Sequence, residues 1–219
     1  MTKLPFSNSI SLTDRLSAYA QNLKDDQPEF AEVYDQMVER LINAGSGANV
    51  MKAGDQMPGF LLPDDSGRLV SLQNLLSNGP LVISLNRGHW CTFCRIELDS
   101  LAQIHAQVKE RGGNIIAITP ERQAFARKLK QACNLPFDVL SDIDNAYALS
   151  LGLVVWCDDQ VRTMYKRLEY NLDEFQGNEG WLVPIPATFV VGSNGTILAS
   201  FADADFRQRM VPQDILNHL

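Results

Sequence analysis

Four residues in the stretch 81–101, LVISLNRGHWCTFCRIELDSL, carry chemistry by type and spacing: Cys91, Cys94, and the arginines Arg87 and Arg95 on either side. Two thiols three residues apart on a helix face one another, with Cβ atoms about 5–6 Å apart, close enough to interconvert between dithiol and disulfide. A thiol at a helix start is also acidified, because the first N–H groups lack internal partners and the dipole places partial positive charge there. Arg87 and Arg95 add positive charge that favours Cys91 as thiolate when their side chains turn inward, and Trp90 shields the pair.

The flanking pattern supplies that helix start. Leu81, Val82, Ile83 and Leu85 form an apolar run without helical spacing, followed by Asn86 and Gly88, as in a buried parallel strand. From Cys94, Leu98, Leu101, Ile104 and Val108 recur at three or four, with Glu97, Asp99, Gln103, Gln107 and Lys109 on the polar positions, until Gly112 and Gly113. Cys91 is therefore expected near the first helical turn at the carboxyl end of a strand, where open α/β sheets carry active sites.

The same Cys-x-x-Cys spacing serves zinc, but zinc takes about four ligands, and Cys133, Cys157, His89 and His105 offer no second closely spaced pair. No cofactor beyond the cysteines is implied. His105 falls fourteen residues beyond Cys91 on the same helix, roughly 20 Å along its axis, too far to act. His89 is a weaker candidate whose side chain is expected to face solvent. Isolated Cys133 and Cys157 fit buried inert thiols, and Tyr165, Tyr170 and Trp181 are candidate cleft residues for which packing is the commoner role.

The chain has 219 residues, 45% of them hydrophobic, enough for one well-buried domain and an extension. A net charge of −7 with no basic run argues against nucleic-acid or anionic-membrane partners. The opening MTKLPFSNSI has no apolar signal core and no stretch reaches membrane-span length, so a cytoplasmic location is expected, where four cysteines are more often thiols than a disulfide framework.

In order, Leu12, Leu16, Tyr19 and Leu23 predict a first amphipathic helix. A second runs from Pro28 with a stripe of Phe30, Val33, Tyr34, Met37, Leu41 and Ile42. Gly45-Ser46-Gly47 marks the boundary, giving a helical extension over 1–50 packed on a main domain over 51–219. That domain opens with strands and turns over 54–71 and a short helix over 71–76. Strands over 81–85, 114–119 and 137–140 then alternate with helices, one of them over 121–132. An insertion over 152–183 holds a helix near 160–170. Strands over 187–191 and 196–201, joined by an Asn-Gly turn, and a helix over 211–218 close the chain.

A strand, Trp-Cys-x-x-Cys opening a helix, a βα crossover and Pro186-Ala187-Thr188-Phe189 before a hairpin together resemble the thioredoxin fold. That is an α/β fold with a central mixed β-sheet flanked by helices, here with an N-terminal two-helix extension. In that resemblance Pro186 corresponds to a cis-proline that brings the backbone of Ile185 against the thiols, where it can pair with an extended substrate chain. Residues 54–60, 135–142 and 186–191 are further similar to landmarks of the AhpC/TSA redoxins. Arg87-Gly88-His89-Trp90-Cys91-Thr92-Phe93-Cys94-Arg95-Ile96-Glu97-Leu98 resembles their peroxiredoxin-like branch, which carries Arg-Gly-x-Trp-Cys-x-x-Cys-x-x-Glu-Leu. Where ordinary peroxiredoxins place a proline seven and a threonine three residues before the reactive cysteine, this chain has Ser84 and Gly88.

The resemblance implies peroxide reduction, with Cys91 as nucleophile, Cys94 closing the disulfide, and an external thioredoxin- or glutathione-type thiol restoring both. The first alternative, favoured by the thioredoxin-like spacing of the thiols, is reduction of a protein or small-molecule disulfide; a non-catalytic redoxin-fold binding protein is the third reading. Redoxin domains often pair, so a homodimer is the assembly expected.

Overall fold

The computed structural model describes residues 10–219; the expectation about the opening residues 1–9 lies outside them. Two helices come first. Helix α1, Leu12–Asp26, is capped by Ser11, whose hydroxyl accepts from the Asp14 N–H, and α2, Pro28–Asn43, opens on a proline whose missing N–H costs nothing at a helix start. The chain then forms a small hairpin, β1 Leu61–Pro63 and β2 Leu69–Ser71, and α3, Leu72–Leu76. Next come β3 Leu81–Leu85, α4 Thr92–Glu110, β4 Asn114–Thr119, α5 Gln123–Ala132, β5 Asp138–Ser141 and α6 Ala146–Ser150. The remainder is β6 Val154–Trp156, α7 Asp159–Arg167, α8 Leu172–Gln176, β7 Leu182–Pro184, β8 Ala187–Val191, β9 Ile197–Ala202 and α9 Pro212–Asn217.

The central sheet runs β5-β4-β3-β8-β9, parallel from β3 to β5 and antiparallel from β3 across β8 to β9. Strand β3 is buried along its whole length because it lies in the middle and both faces are covered. Leu81, Ile83 and Leu85 join one apolar cluster with α1, α2 and the 153–185 segment, while Val82 joins a second with α4, α5 and α9. The alternation is the period-two geometry of a strand.

The first two helices are fastened to the main domain by charge as well as packing, α1 to the cysteine helix and α2 to the segment after β9. The buried Arg15 guanidinium pairs with Asp99 at 2.7 Å and donates to the Ser100 hydroxyl at 3.1 Å, and Arg207, after β9, pairs with Asp35 of α2 at 2.6 Å.

The structure departs from the sequence expectations in several places. Ile42 lies outside the buried stripe of α2, 57% exposed, because α2 packs on Ala31, Tyr34, Met37, Val38 and Leu41. Residues 54–58 form no regular strand. They are pinned instead by single bonds, Gly54 N–H to Ile197 O and Met57 N–H to Gly195 O. Helix α5 begins two residues later than expected, leaving Glu121 in the loop after β4. The 153–185 segment holds two helices between a paired β6 and β7. No cis peptide occurs among the described residues, so the bond before Pro186 is trans, the isomer X–Pro bonds ordinarily favour. The Ile185 N–H donates to Leu153 O at 2.7 Å, so it is bonded within the chain.

Candidate functional site

The site forms where β3 ends and α4 begins. Cys91 is the N-cap of α4, and its sulfur accepts from the Cys94 N–H at 3.4 Å, the bond a serine or aspartate would accept at such a position. Cys94 lies in the first turn beneath it. The two sulfurs are thus in adjoining positions, with Cys91 4% exposed and Cys94 fully buried.

Arg87 and Arg209 supply the charge around them. The Arg87 side chain is 1% exposed, its guanidinium 3.9 Å above the Phe206 ring and its Nη2 3.9 Å from the Met37 sulfur. Its Nε and Nη1 have no hydrogen-bond acceptor among the described residues, so a buried cation faces the thiols without a carboxylate to answer it. Arg209 donates through Nε to Glu97 at 2.7 Å, through Nη1 to the carbonyls of Phe206 and Gln208, and through Nη2 to the Cys94 sulfur at 3.7 Å. Glu97 also accepts from the Thr188 hydroxyl at 3.0 Å, which ties the Pro-Ala-Thr-Phe strand to the cysteine helix.

These contacts push the two thiols apart. Burial alone raises Cys91, but the hydrogen bonds from Cys94 and the charges of Arg87 and Arg209 overcome it and bring its pKa from 9.0 down to about 7. Cys94 is driven well above the ordinary thiol range by burial and by the sulfur of Cys91, against the pull of Arg209. One thiolate over one thiol is the pairing a dithiol exchange requires.

The Arg95 backbone N–H donates to the Cys91 carbonyl at 3.0 Å, and its charge acts on the thiol of Cys133, which burial raises and Arg95 lowers. Cys157 is fully buried, and burial lifts it to about 11. His105 sits beside Phe137, its ring 6.0 Å away. Trp90 packs on Tyr165 and Tyr170, centroids 4.9 and 5.4 Å away, so those two tyrosines are packing partners beside the site, and Trp181 is buried under Arg162 and Lys166. Pro186 is buried one residue before β8, whose Ala187 pairs with Leu85 at the end of β3.

His89 does not face solvent. Its Nδ1 lies 2.6 Å from the buried Glu121 carboxylate, its N–H donates to the same group at 2.8 Å, and its ring stacks on Phe125. Burial raises Glu121 and the contacts with His89 lower it. Glu121 thereby holds the turn between β3 and Cys91 from the loop after β4.

Four residues of the site were invisible to sequence reasoning or misplaced by it. Glu97 was assigned to the polar face, although it shares a helix face with Cys94 and Leu101, a spacing that marks it as inward. Arg209 and Glu121 come from distant segments with no local signal. Tyr19 arrives from α1, its ring edge-on to Phe93 with centroids 4.8 Å apart. Among the described residues no group of three or more His, Cys, Asp or Glu could hold a metal, and no helix is long and apolar enough to cross a membrane.

A thioredoxin-type sheet with a two-cysteine turn at the head of its longest helix defines a thiol-dependent oxidoreductase. Residues 53–200 match the AhpC/TSA family, and the chain belongs to it. Among its relatives is the putative peroxiredoxin bcp of Coxiella burnetii, 27% identical over 105 residues, 48% of this chain and 69% of that one. Another is the thiol-disulfide oxidoreductase ResA of Bacillus subtilis, 22% identical over 154 residues, 70% of this chain and 69% of that one. The fold is shared with peroxidoxin BcpB of Mycobacterium tuberculosis, with a TM-score of 0.60 at 20% identity over 77% of this chain and 96% of that one. It is shared too with PrxQ of Xylella fastidiosa, with a TM-score of 0.58 at 15% identity over 76% and 94% of the two chains.

Proposed function

We propose that the protein reduces hydroperoxides through a Cys91/Cys94 dithiol cycle, with Cys91 as nucleophile. The Cys91 thiolate attacks the terminal peroxide oxygen; the O–O bond breaks, the alcohol or water leaves with a proton, and Cys91 becomes a sulfenic acid. The Cys94 thiol then attacks that sulfur, water leaves, and the disulfide forms. Two electrons and two protons from a thioredoxin- or glutathione-type thiol restore the pair. The observation that carries this reading is the placing of the Cys91 sulfur at a helix N-cap beside the unanswered charge of Arg87. Trp90, Arg87, Arg95 and Pro186 would support the site. In this proposal residues 1–50 are a helical extension of a redoxin domain over 51–219, working in the cytoplasm, as a homodimer.

A second reading, reduction of a disulfide, is favoured by the three-residue spacing of the thiols and by the kinship with ResA. Single-turnover kinetics of wild type, Cys91→Ser and Cys94→Ser with a peroxide and with a disulfide substrate separate the two. Peroxidase chemistry requires rapid oxidation of wild type by peroxide, none of Cys91→Ser, and a stable sulfenic acid in Cys94→Ser. Rapid reaction with the disulfide alone supports the second reading.

A further inference from the structure

Glu121 is completely buried, and the dithiol cycle gives it no step to perform, although a carboxylate at such depth is costly unless its bonds are good. Both of its oxygens go to one residue. Oε2 accepts the His89 backbone N–H at 2.8 Å and Oε1 lies 2.6 Å from His89 Nδ1, so the carboxylate fixes the main chain and the side chain of His89 together. The ring is held from two further sides, stacked on Phe125 at 5.2 Å and edge-on to Phe175 at 4.7 Å.

His89 occupies the middle of the turn that leads into Cys91. Two residues before it, the Arg87 N–H donates to the Cys94 sulfur at 3.5 Å, and two residues after it, the Cys91 N–H donates to Gly88 O at 3.1 Å. The first of these bonds bears on the chemistry. When Cys94 attacks Cys91 its thiol gives up a proton and negative charge gathers on the sulfur, where a donor already in place lowers the barrier. Arg209 Nη2 reaches the same sulfur from the other side, at 3.7 Å.

We propose that Glu121, acting through His89, is a positioning residue for disulfide closure: it holds the 87–91 turn so that the Arg87 N–H stays on the Cys94 sulfur during the attack. The inference rests on the Cys91/Cys94 cycle above and concerns its second half. There the Cys94 sulfur bonds to the Cys91 sulfur, the S–O bond of the sulfenic acid breaks, and water leaves with the Cys94 proton. The Cys91 sulfur takes its own bond from the Cys94 N–H within α4, so the first half, attack on peroxide, draws little on Glu121.

The test mixes prereduced protein with excess hydrogen peroxide and follows tryptophan fluorescence; the rate of attack scales with peroxide concentration and that of closure does not. Glu121→Gln keeps the shape and removes the charge. It is expected to slow closure roughly tenfold or more and to leave attack nearly unchanged, with the Cys91 sulfenic acid trapped by dimedone in the interval. His89→Phe keeps a ring beside Phe125 and Phe175 but no donor, and should slow closure likewise. His89→Asn sets an amide nitrogen close to where Nδ1 stands and should keep closure fast; a loss of ring packing alone would reverse that order. In wild type the Arg87 and His89 amides should be protected from hydrogen exchange to the same degree, a readout that needs no variant to fold. Absence of both the peroxide-independent phase and the Cys91–Cys94 disulfide in wild type overturns the cycle itself. Three results overturn the role of Glu121 and leave the cycle standing. They are equal slowing of both phases, or of neither, in folded Glu121→Gln; closure as slow in His89→Asn as in His89→Phe; and an Arg87 amide that exchanges while His89 stays protected.

Discussion

Arg209 joins Glu97 to Cys94: one guanidinium pairs with the buried carboxylate at 2.7 Å and reaches the deeper sulfur at 3.7 Å. The residues come from the segment after β9 and from α4, so the C-terminal stretch is part of the electrostatic environment of the thiols. Its charge is spent twice, cancelling Glu97 and lowering both cysteines.

Replacing Arg209 by methionine should therefore cost stability and thiol acidity together. Leaving Glu97 buried without its partner is expected to cost about 3–5 kcal/mol, measured by chemical denaturation. The double variant Arg209→Met with Glu97→Gln should regain much of that stability, while the Cys91 titration, followed by thiolate absorbance, stays shifted upward. If acidity returns with stability, the effect of Arg209 on the thiols is structural alone.

The pH dependence follows from opposite shifts in the two thiols. Oxidation of Cys91 should rise through pH of about 7 and level off above it, in step with thiolate formation, and Cys91→Ser should abolish that titration. Stability carries both signs. Cys91, lowered in the fold, contributes stability that is full above its unfolded value of 9.0 and is lost as pH falls through about 7. Cys94, raised in the fold, contributes stability that is present below 9.0 and is lost as pH climbs beyond it. Denaturation midpoints across pH should show the lower limb weakened in Cys91→Ser and the upper limb weakened in Cys94→Ser.

Gly88 is the tightest point in the turn before Cys91. With φ of +139°, an added Cβ would lie 2.6 Å from the Glu121 carboxyl carbon and 2.7 Å from Trp90 Nε1. Gly88→Ala is expected to destabilise the protein by about 1–3 kcal/mol and to shift Trp90 emission, because either the carboxylate or the indole must give way. Unchanged emission and unchanged stability would show that this turn relaxes freely.

How legible this was in the sequence depends on the range of each interaction. Strand β3 and helix α4 are written in local period, an unbroken apolar run and then a spacing of three and four, and the structure places both where those patterns put them. The cysteine pair was legible because both residues lie on one helical turn. Glu97 was misread because a carboxylate looks like surface until its buried partner is known, and that partner lies 112 residues away. Glu121 was absorbed into a helix for the same reason, since its bond to His89 spans 32 residues and leaves no mark on local spacing. The expectation of a cis bond at Pro186 came from resemblance alone, and the chain there is trans.

The bond from the Ile185 N–H to Leu153 O has a bearing on how electrons return. A donor protein that docks by laying an extended segment along this edge needs a free amide there, and the chain has already given that amide to itself. A reductant must then find Cys91 by filling space or by charge, or else strip away an internal bond first, which would make reduction, rather than peroxide attack, the slow half of the cycle.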